Sequence, residues 1–299
     1  MPNRFHGLAL ASSLCVACLP ALAAEETISF EVEGMKVVGT LNLPDGVNNP
    51  PAILLLHGFT GSRDELEIPA VGEGIFARAA RMWAEKGIAS LRIDYRFNGE
   101  SDGDFADSTL HAHIADGLAA LDWLARSGRV DDDRLALVGW SMGGAVGAAV
   151  AGRTEHDLDA VALWAPGVNM AASITMMFGP ETVKKGLSGG DTPVTATLPW
   201  GDKIELKPAF FQSLFEVDPV AEITEYDDPL FVAVGTKDDV VFPQPASGQI
   251  LLDYRDDDDD DATLFVREMD HVFNAFAGVE QVDELIGATG DFIARHLDD

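Results

Sequence analysis

The chain has 299 residues, 47 % of them hydrophobic, with 29 glycines and 15 prolines; that suits one large α/β domain and is too apolar for a disordered chain. Fifty acidic residues against 20 basic ones give a formal net charge of −30, which repels nucleic acid phosphates and anionic membrane surfaces and excludes both as partners. Acidity spread over the whole surface points to life in salt, where screening shortens the Debye length to about 3 Å at 1 M.

At the N-terminus Arg4 precedes the apolar run "LALASSLCVACLPALAA", which closes on Ala21-Leu22-Ala23. A charged start, an apolar centre and a small-residue cleavage site are the parts of a secretory signal. Pro20 and a run shorter than the ~20 residues of a membrane span argue against an anchor. Residues 1–24 are therefore expected to be removed, leaving residues 25–299 as one exported domain, periplasmic or secreted. Cys15 and Cys18 fall inside the signal, so the mature chain holds no cysteine for disulfides or thiolate metal sites.

Short β-branched or leucine-rich runs follow: "ISFEVEG", "KVVGTLNLP", "AILLLHG", "IASLRIDY", "RLALVGW", "AVALWAP", "LFVAVGTKD" and "ATLFVREMD". Between most of them lie stretches with helical spacing, such as 72–86 and 110–126. The alternation predicts βαβ units and a mostly parallel sheet with helices on both faces. The first two runs are almost contiguous, so they should pair antiparallel at the sheet edge. No Pro-, Gly- or Ser-rich linker divides the chain.

After the sixth strand, about 166–226, the rhythm breaks. "TATLPWGDKIELK" reads as a hairpin turning at Trp200-Gly201-Asp202, among the apolar clusters "ITMMF" and "AFFQSLF". An insertion here is a candidate cap over a pocket. Trp200, a large apolar residue at the hairpin tip, should rest on something. It is a candidate substrate-binding residue over an acyl pocket, or else it packs on "AFFQSLF".

"GWSMGG", residues 139–144, ends a buried strand and opens a helix of small residues. Ser141 therefore sits at a tight strand-to-helix turn, where side chains at positions 139 and 143 would clash and the helix N-terminus favours developing negative charge. This is the G-x-S-x-G pattern of a serine nucleophile. Its hydroxyl needs a base. His6 lies in the signal, His111 and His113 open what reads as a surface helix, His156 lies in a polar turn, His296 is on the last helix, and His57 ends the third strand. His271, in the loop between the last strand and the last helix, remains. The acid that orients it should follow the seventh strand: Asp238, with Asp239 as the alternative. The N–H groups of Phe59, in the loop after "AILLLHG", and of Met142 are the candidate oxyanion donors. His57 reads as a structural hydrogen-bonding residue of that loop. The run "DDDDDD" at 256–261 reads as a solvated loop, and no cofactor or metal site is expected.

"HGFTGS", "LRIDYRFNGESDG", "GWSMGG", "GTKDD" and "DHVF" stand in the order and spacing of the α/β-hydrolase superfamily, which the chain resembles over nearly all of residues 30–298. "HGFTGSRDE", "RFNGESDG" and the hairpin-bearing insertion resemble the cinnamoyl or feruloyl esterase-like members. The resemblance implies hydrolysis of carboxylic esters of small, medium or aromatic acyl groups, a small-molecule substrate, and an insertion over the acyl pocket. A peptidase or amidase on the same fold and a non-catalytic ligand-binding member are the alternatives.

Overall fold

The computed structural model describes residues 24–255 and 261–297; residues 1–23 of the expected signal, with its two cysteines, and most of the acidic run lie outside them. Eight strands form one sheet: β1 (Ala24–Val32), β2 (Met35–Leu43), β3 (Ala52–Leu56), β4 (Ala89–Asp94), β5 (Leu135–Trp140), β6 (Ala160–Trp164), β7 (Leu230–Gly235) and β8 (Ala262–Arg267). Their spatial order is β1-β2-β4-β3-β5-β6-β7-β8. β2 runs antiparallel to both β1 and β4, and every other pairing is parallel.

Period-two alternation along the central strands divides the core. In β3, Leu54 and Leu56 face one apolar cluster, while Ile53 and Leu55 face the other. The first face is covered by α2 (Leu110–Arg126) and α3 (Met142–Arg153), and the second by α1 (Ile75–Ala84) and the last helix (Glu280–His296). Two indoles pin this last helix: Trp83 Nε1–H donates to the Ile286 carbonyl at 3.1 Å, and Trp164 Nε1–H to Thr289 Oγ1 at 2.9 Å. The expected fold class is borne out, including the antiparallel edge pair and the insertion after the sixth strand.

Between β6 and β7 the chain builds four short helices, at Met170–Phe178, Pro180–Leu187, Pro208–Glu216 and Pro219–Ile223, and a hairpin pairing Val194–Thr197 with Lys203–Leu206. Three of these helices start on proline, whose fixed φ and missing N–H suit a first turn. Val183, Val194, Leu206, Phe210, Phe211 and Leu214 join the same cluster as α2 and α3, so the insertion shares the main core.

Two sequence expectations need correction. His113 is not on a surface: it is 1 % exposed, on the inward side of α2, with its ring stacked on Tyr95 at 4.4 Å. Trp200 is not held under the insertion; it is 62 % exposed. The alternation of the hairpin buries Val194, Ala196, Leu198 and Leu206, and the turn closed by the Leu198 N–H to Asp202 carbonyl bond carries the tip beyond them.

Candidate active site

Ser141 stands between β5 and α3 with φ +57° and ψ −115°, a left-handed backbone that costs about 1–3 kcal/mol and is held by its surroundings. Its N–H donates to the Trp164 carbonyl at 2.9 Å, and its carbonyl accepts from Gly144, Ala145 and Gly167. The glycines around it are a matter of space. A Cβ on Gly139 would lie 2.2 Å from the Gly143 carbonyl oxygen, and one on Gly143 would lie 2.0 Å from that of Leu56. α3 can thus approach β3 and β5 closely enough to force the turn.

The structure brings the three expected side chains into one chain of hydrogen bonds. His271 Nε2 is 2.9 Å from Ser141 Oγ, and Nδ1 is 2.9 Å from Asp238 Oδ2. Asp238 Oδ1 accepts the N–H groups of Val240 and Val241, each at 2.9 Å. A carboxylate only accepts, so Nδ1 carries the proton and the Nε2 lone pair faces the serine hydroxyl. The Asp238 side chain is fully buried and that of His271 is 13 % exposed, which leaves the imidazole reachable from solvent while its partner is shielded. The alternative acid, Asp239, is exposed and lies one residue past the contact.

Met142 is the first residue of α3, so its N–H has no intrahelical acceptor. Phe59 follows Gly58 in the loop after β3, and a Cβ on Gly58 would lie 3.5 Å from Ser141 Cβ. Among the described residues neither the Phe59 nor the Met142 N–H is engaged by an acceptor, so both are free to donate to a group bound at Ser141. The Phe59 ring packs against Phe105, Phe178 and Phe210, with centroids 5.5–6.1 Å apart, so aromatic contacts join this loop to the insertion.

His57 is fully buried. Its Nε2 accepts the Tyr95 N–H at 3.3 Å and Nδ1 donates to the Gly58 carbonyl at 2.9 Å. Burial pulls its pKa down to about 4. It is a neutral, structural residue of the loop, as its position suggests. A cleft of about 90 Å³ opens between the start of the insertion and the loop after Asp238, lined by Val168, Ala172, Met176, Val241 and Phe242, with Asn169 and Ser173 as its polar side chains. Gly167, next to Val168, binds the Ser141 carbonyl through its N–H at 2.9 Å; Ser141 and His271 do not themselves line the cleft. Trp200 does not line it. Among the described residues no group of three or more His, Cys, Asp or Glu side chains is placed to hold a metal ion.

Sequence reasoning missed one participant, Trp140. Its indole N–H donates to the His271 carbonyl at 3.2 Å, and its ring lies 5.9 Å from the imidazole. The only signal was its place beside Ser141.

The comparisons agree with this architecture. Est1E from Butyrivibrio proteoclasticus, solved with ferulic acid bound, superposes with a TM-score of 0.73 at 20 % identity, over 91 % of this chain and 100 % of that one. The esterase domain of a Rhodothermus marinus protein gives 0.66 at 20 % identity, over 92 % and 99 %. At such identities the likeness is one of fold. In sequence, 105 residues are 34 % identical to an uncharacterized 31.7 kDa protein of the traX-finO intergenic region of Escherichia coli, covering 35 % of this chain and 34 % of that protein. The stretch shared with this relative is thus about a third of its length. The family model of the X-Pro dipeptidyl-peptidases (S15 family) matches residues 33–211, which include Ser141 but stop short of Asp238 and His271. With that match over more than half its length, the chain belongs to the S15 family of α/β hydrolases.

Proposed function

We propose that the protein is a serine hydrolase of carboxylic esters. Ser141 Oγ loses its proton to His271 Nε2 and attacks the ester carbonyl carbon. The carbonyl oxygen takes the negative charge and receives the N–H groups of Phe59 and Met142, each such donor contributing about 3 kcal/mol to the transition state. Collapse breaks the bond to the alkoxy oxygen, which leaves with the proton from His271. Water, deprotonated by the same imidazole, then releases the acid from Ser141. Asp238 holds the ring and stabilises the imidazolium throughout.

The observation that favours an ester over a peptide is the cleft. Its walls are apolar apart from Asn169 and Ser173, and none of its lining side chains carries charge. An enzyme removing an N-terminal X-Pro unit has to hold the ammonium group of its substrate, which calls for carboxylates beside the nucleophile. An apolar acyl or alcohol group needs none. The ferulic acid seen in Est1E supports an aromatic acid as one candidate. Family membership supports the second reading, an X-Pro peptidase. Purified protein should hydrolyse p-nitrophenyl acetate and a hydroxycinnamate ester at least 100-fold faster, by kcat/KM, than an X-Pro p-nitroanilide. The reverse order would replace the ester reading by the peptidase one.

A further inference from the structure

The carboxyl of Glu65 has no part in the steps above, yet it lies against the loop that carries Phe59. Oε1 accepts the Gly58 N–H in a short hydrogen bond, and Oε2 accepts the Leu66 N–H at 3.2 Å. Glu65 reaches this place from a left-handed backbone, φ +61°, by folding back over the loop. Glycine makes the room, because a Cβ on Gly61 would lie 2.7 Å from Oε1. Burial pushes the Glu65 carboxyl up to about 8, so it sits neutral in the loop at neutral pH.

The other side of Gly58 is held as well. Its carbonyl accepts from His57 Nδ1 at 2.9 Å and from the Gly61 N–H at 3.1 Å. The peptide unit joining Gly58 to Phe59 is planar and trans, so its C=O and N–H point in opposite directions. Fixing that carbonyl towards His57 fixes where the Phe59 N–H points. With its own N–H tied to Glu65, Gly58 cannot rotate about either neighbouring bond without losing a hydrogen bond.

We propose that Glu65 is a positioning residue for ester hydrolysis: its carboxyl, together with His57, clamps Gly58 so that the Phe59 N–H is aimed at the oxyanion before substrate arrives. This rests on the reading of Ser141 as nucleophile. Glu65 does not touch substrate; it acts through the peptide unit, where a displacement of about 1 Å can cost up to about 10²-fold in rate.

The test compares Glu65→Ala, Glu65→Gln and Glu65→Asp on p-nitrophenyl acetate, with the final extent of Ser141 phosphonylation as the count of competent sites. Glu65→Ala should label fully yet lose about 10–100-fold in kcat with KM within threefold, and a boronic acid that forms a tetrahedral adduct should bind more weakly by a similar factor. Glu65→Gln, neutral and of the same reach, should keep kcat within threefold. Glu65→Asp, one methylene shorter, should behave like the alanine variant, and it serves with glutamine if the alanine variant does not fold. Unchanged kcat in Glu65→Ala, or glutamine and aspartate variants that fall equally, would overturn the proposal. Wild-type protein that resists the phosphonate at Ser141 would instead overturn the reading of the site itself.

Discussion

The indole N–H of Trp140 donates to the backbone carbonyl of His271 at 3.2 Å, so the residue before Ser141 holds the loop that carries His271. The two are 131 positions apart in the chain and meet because β5 ends beside the loop that follows β8. Trp140 is also packed on Phe273 at 5.5 Å, which fixes the indole plane.

Trp140→Phe keeps an aromatic ring and removes the hydrogen bond. The lost bond should cost about 1 kcal/mol, seen as a Tm lower by about 2–4 °C. Looser placement of His271 should lower kcat about tenfold with little change in KM, because the base is needed in the transition state and not for binding. Thermal melts and steady-state kinetics check both. A variant with wild-type kcat would show that the loop is held by other contacts.

The buried histidines make stability fall in acid. Burial pulls His57 down to about 4 and His113 down to about 3, against about 6.5 in an unfolded chain. Between those values the unfolded chain binds protons that the folded one refuses, so the contribution of these two histidines is complete above pH 6.5 and lost as pH falls towards 4, while the Glu65 and Asp116 carboxyls, pushed up by burial to about 8 and about 6, work in the opposite direction. Neither ring nitrogen of His113 has a hydrogen-bond partner among the described residues, so phenylalanine can replace it without leaving a group unpaired. His113→Phe should match or exceed wild type in stability at pH 7 and flatten the acid limb by up to about 1.4 kcal/mol per pH unit. Urea unfolding at pH 4, 5, 6 and 7 measures this, and acid limbs that run parallel would contradict it.

Trp200, with 62 % of its area exposed at the hairpin tip, should tolerate removal. Trp200→Ala is expected to leave Tm within about 1 °C and KM for acetate and aromatic esters within twofold, since surface changes away from special features stay within about 0.5 kcal/mol. A rise in KM confined to aromatic esters would mean that the tip bends over the cleft when substrate binds.

A net charge of −30 repels itself in dilute buffer, and salt screens that repulsion. Tm and ester hydrolysis should hold or rise from 0.1 to 2 M NaCl; a steady fall in both would remove salt tolerance from the description.

The sequence made the strands of the core legible because most of the central ones are uninterrupted apolar runs between turn residues. It also exposed the elbow, since the clashes at Gly139 and Gly143 follow from a turn that tight. Other features depend on tertiary context. His113 shares a helical face with Leu110, Ile114 and Leu121, and that spacing already marked it as inward-facing; its polarity hid the signal. The helices of the insertion carried signs too, in Pro180, Pro208 and Pro219 and in the capping residues Asn169 and Asp218, but their short length kept any periodicity from showing. Glu65 was illegible: an acidic residue in a polar loop looks solvated until the left-handed turn at that position folds it back onto Gly58. Asp238 and Asp239 are distinguishable only by geometry, since adjacent residues point in different directions.

The most direct test of the site is phosphonylation of Ser141 combined with removal of its partners. An aryl phosphonate should inactivate the wild-type protein and modify Ser141 alone, as read by mass spectrometry of the digested protein. Ser141→Ala and His271→Ala should each lower kcat for p-nitrophenyl acetate by about 10³-fold or more, and the double variant should lose little beyond either single one, because the groups act as one unit. Label on another residue, or a Ser141→Ala variant that keeps more than about a tenth of its activity when general-base help alone is worth about 10²–10⁴-fold, would contradict the assignment of Ser141 as the nucleophile.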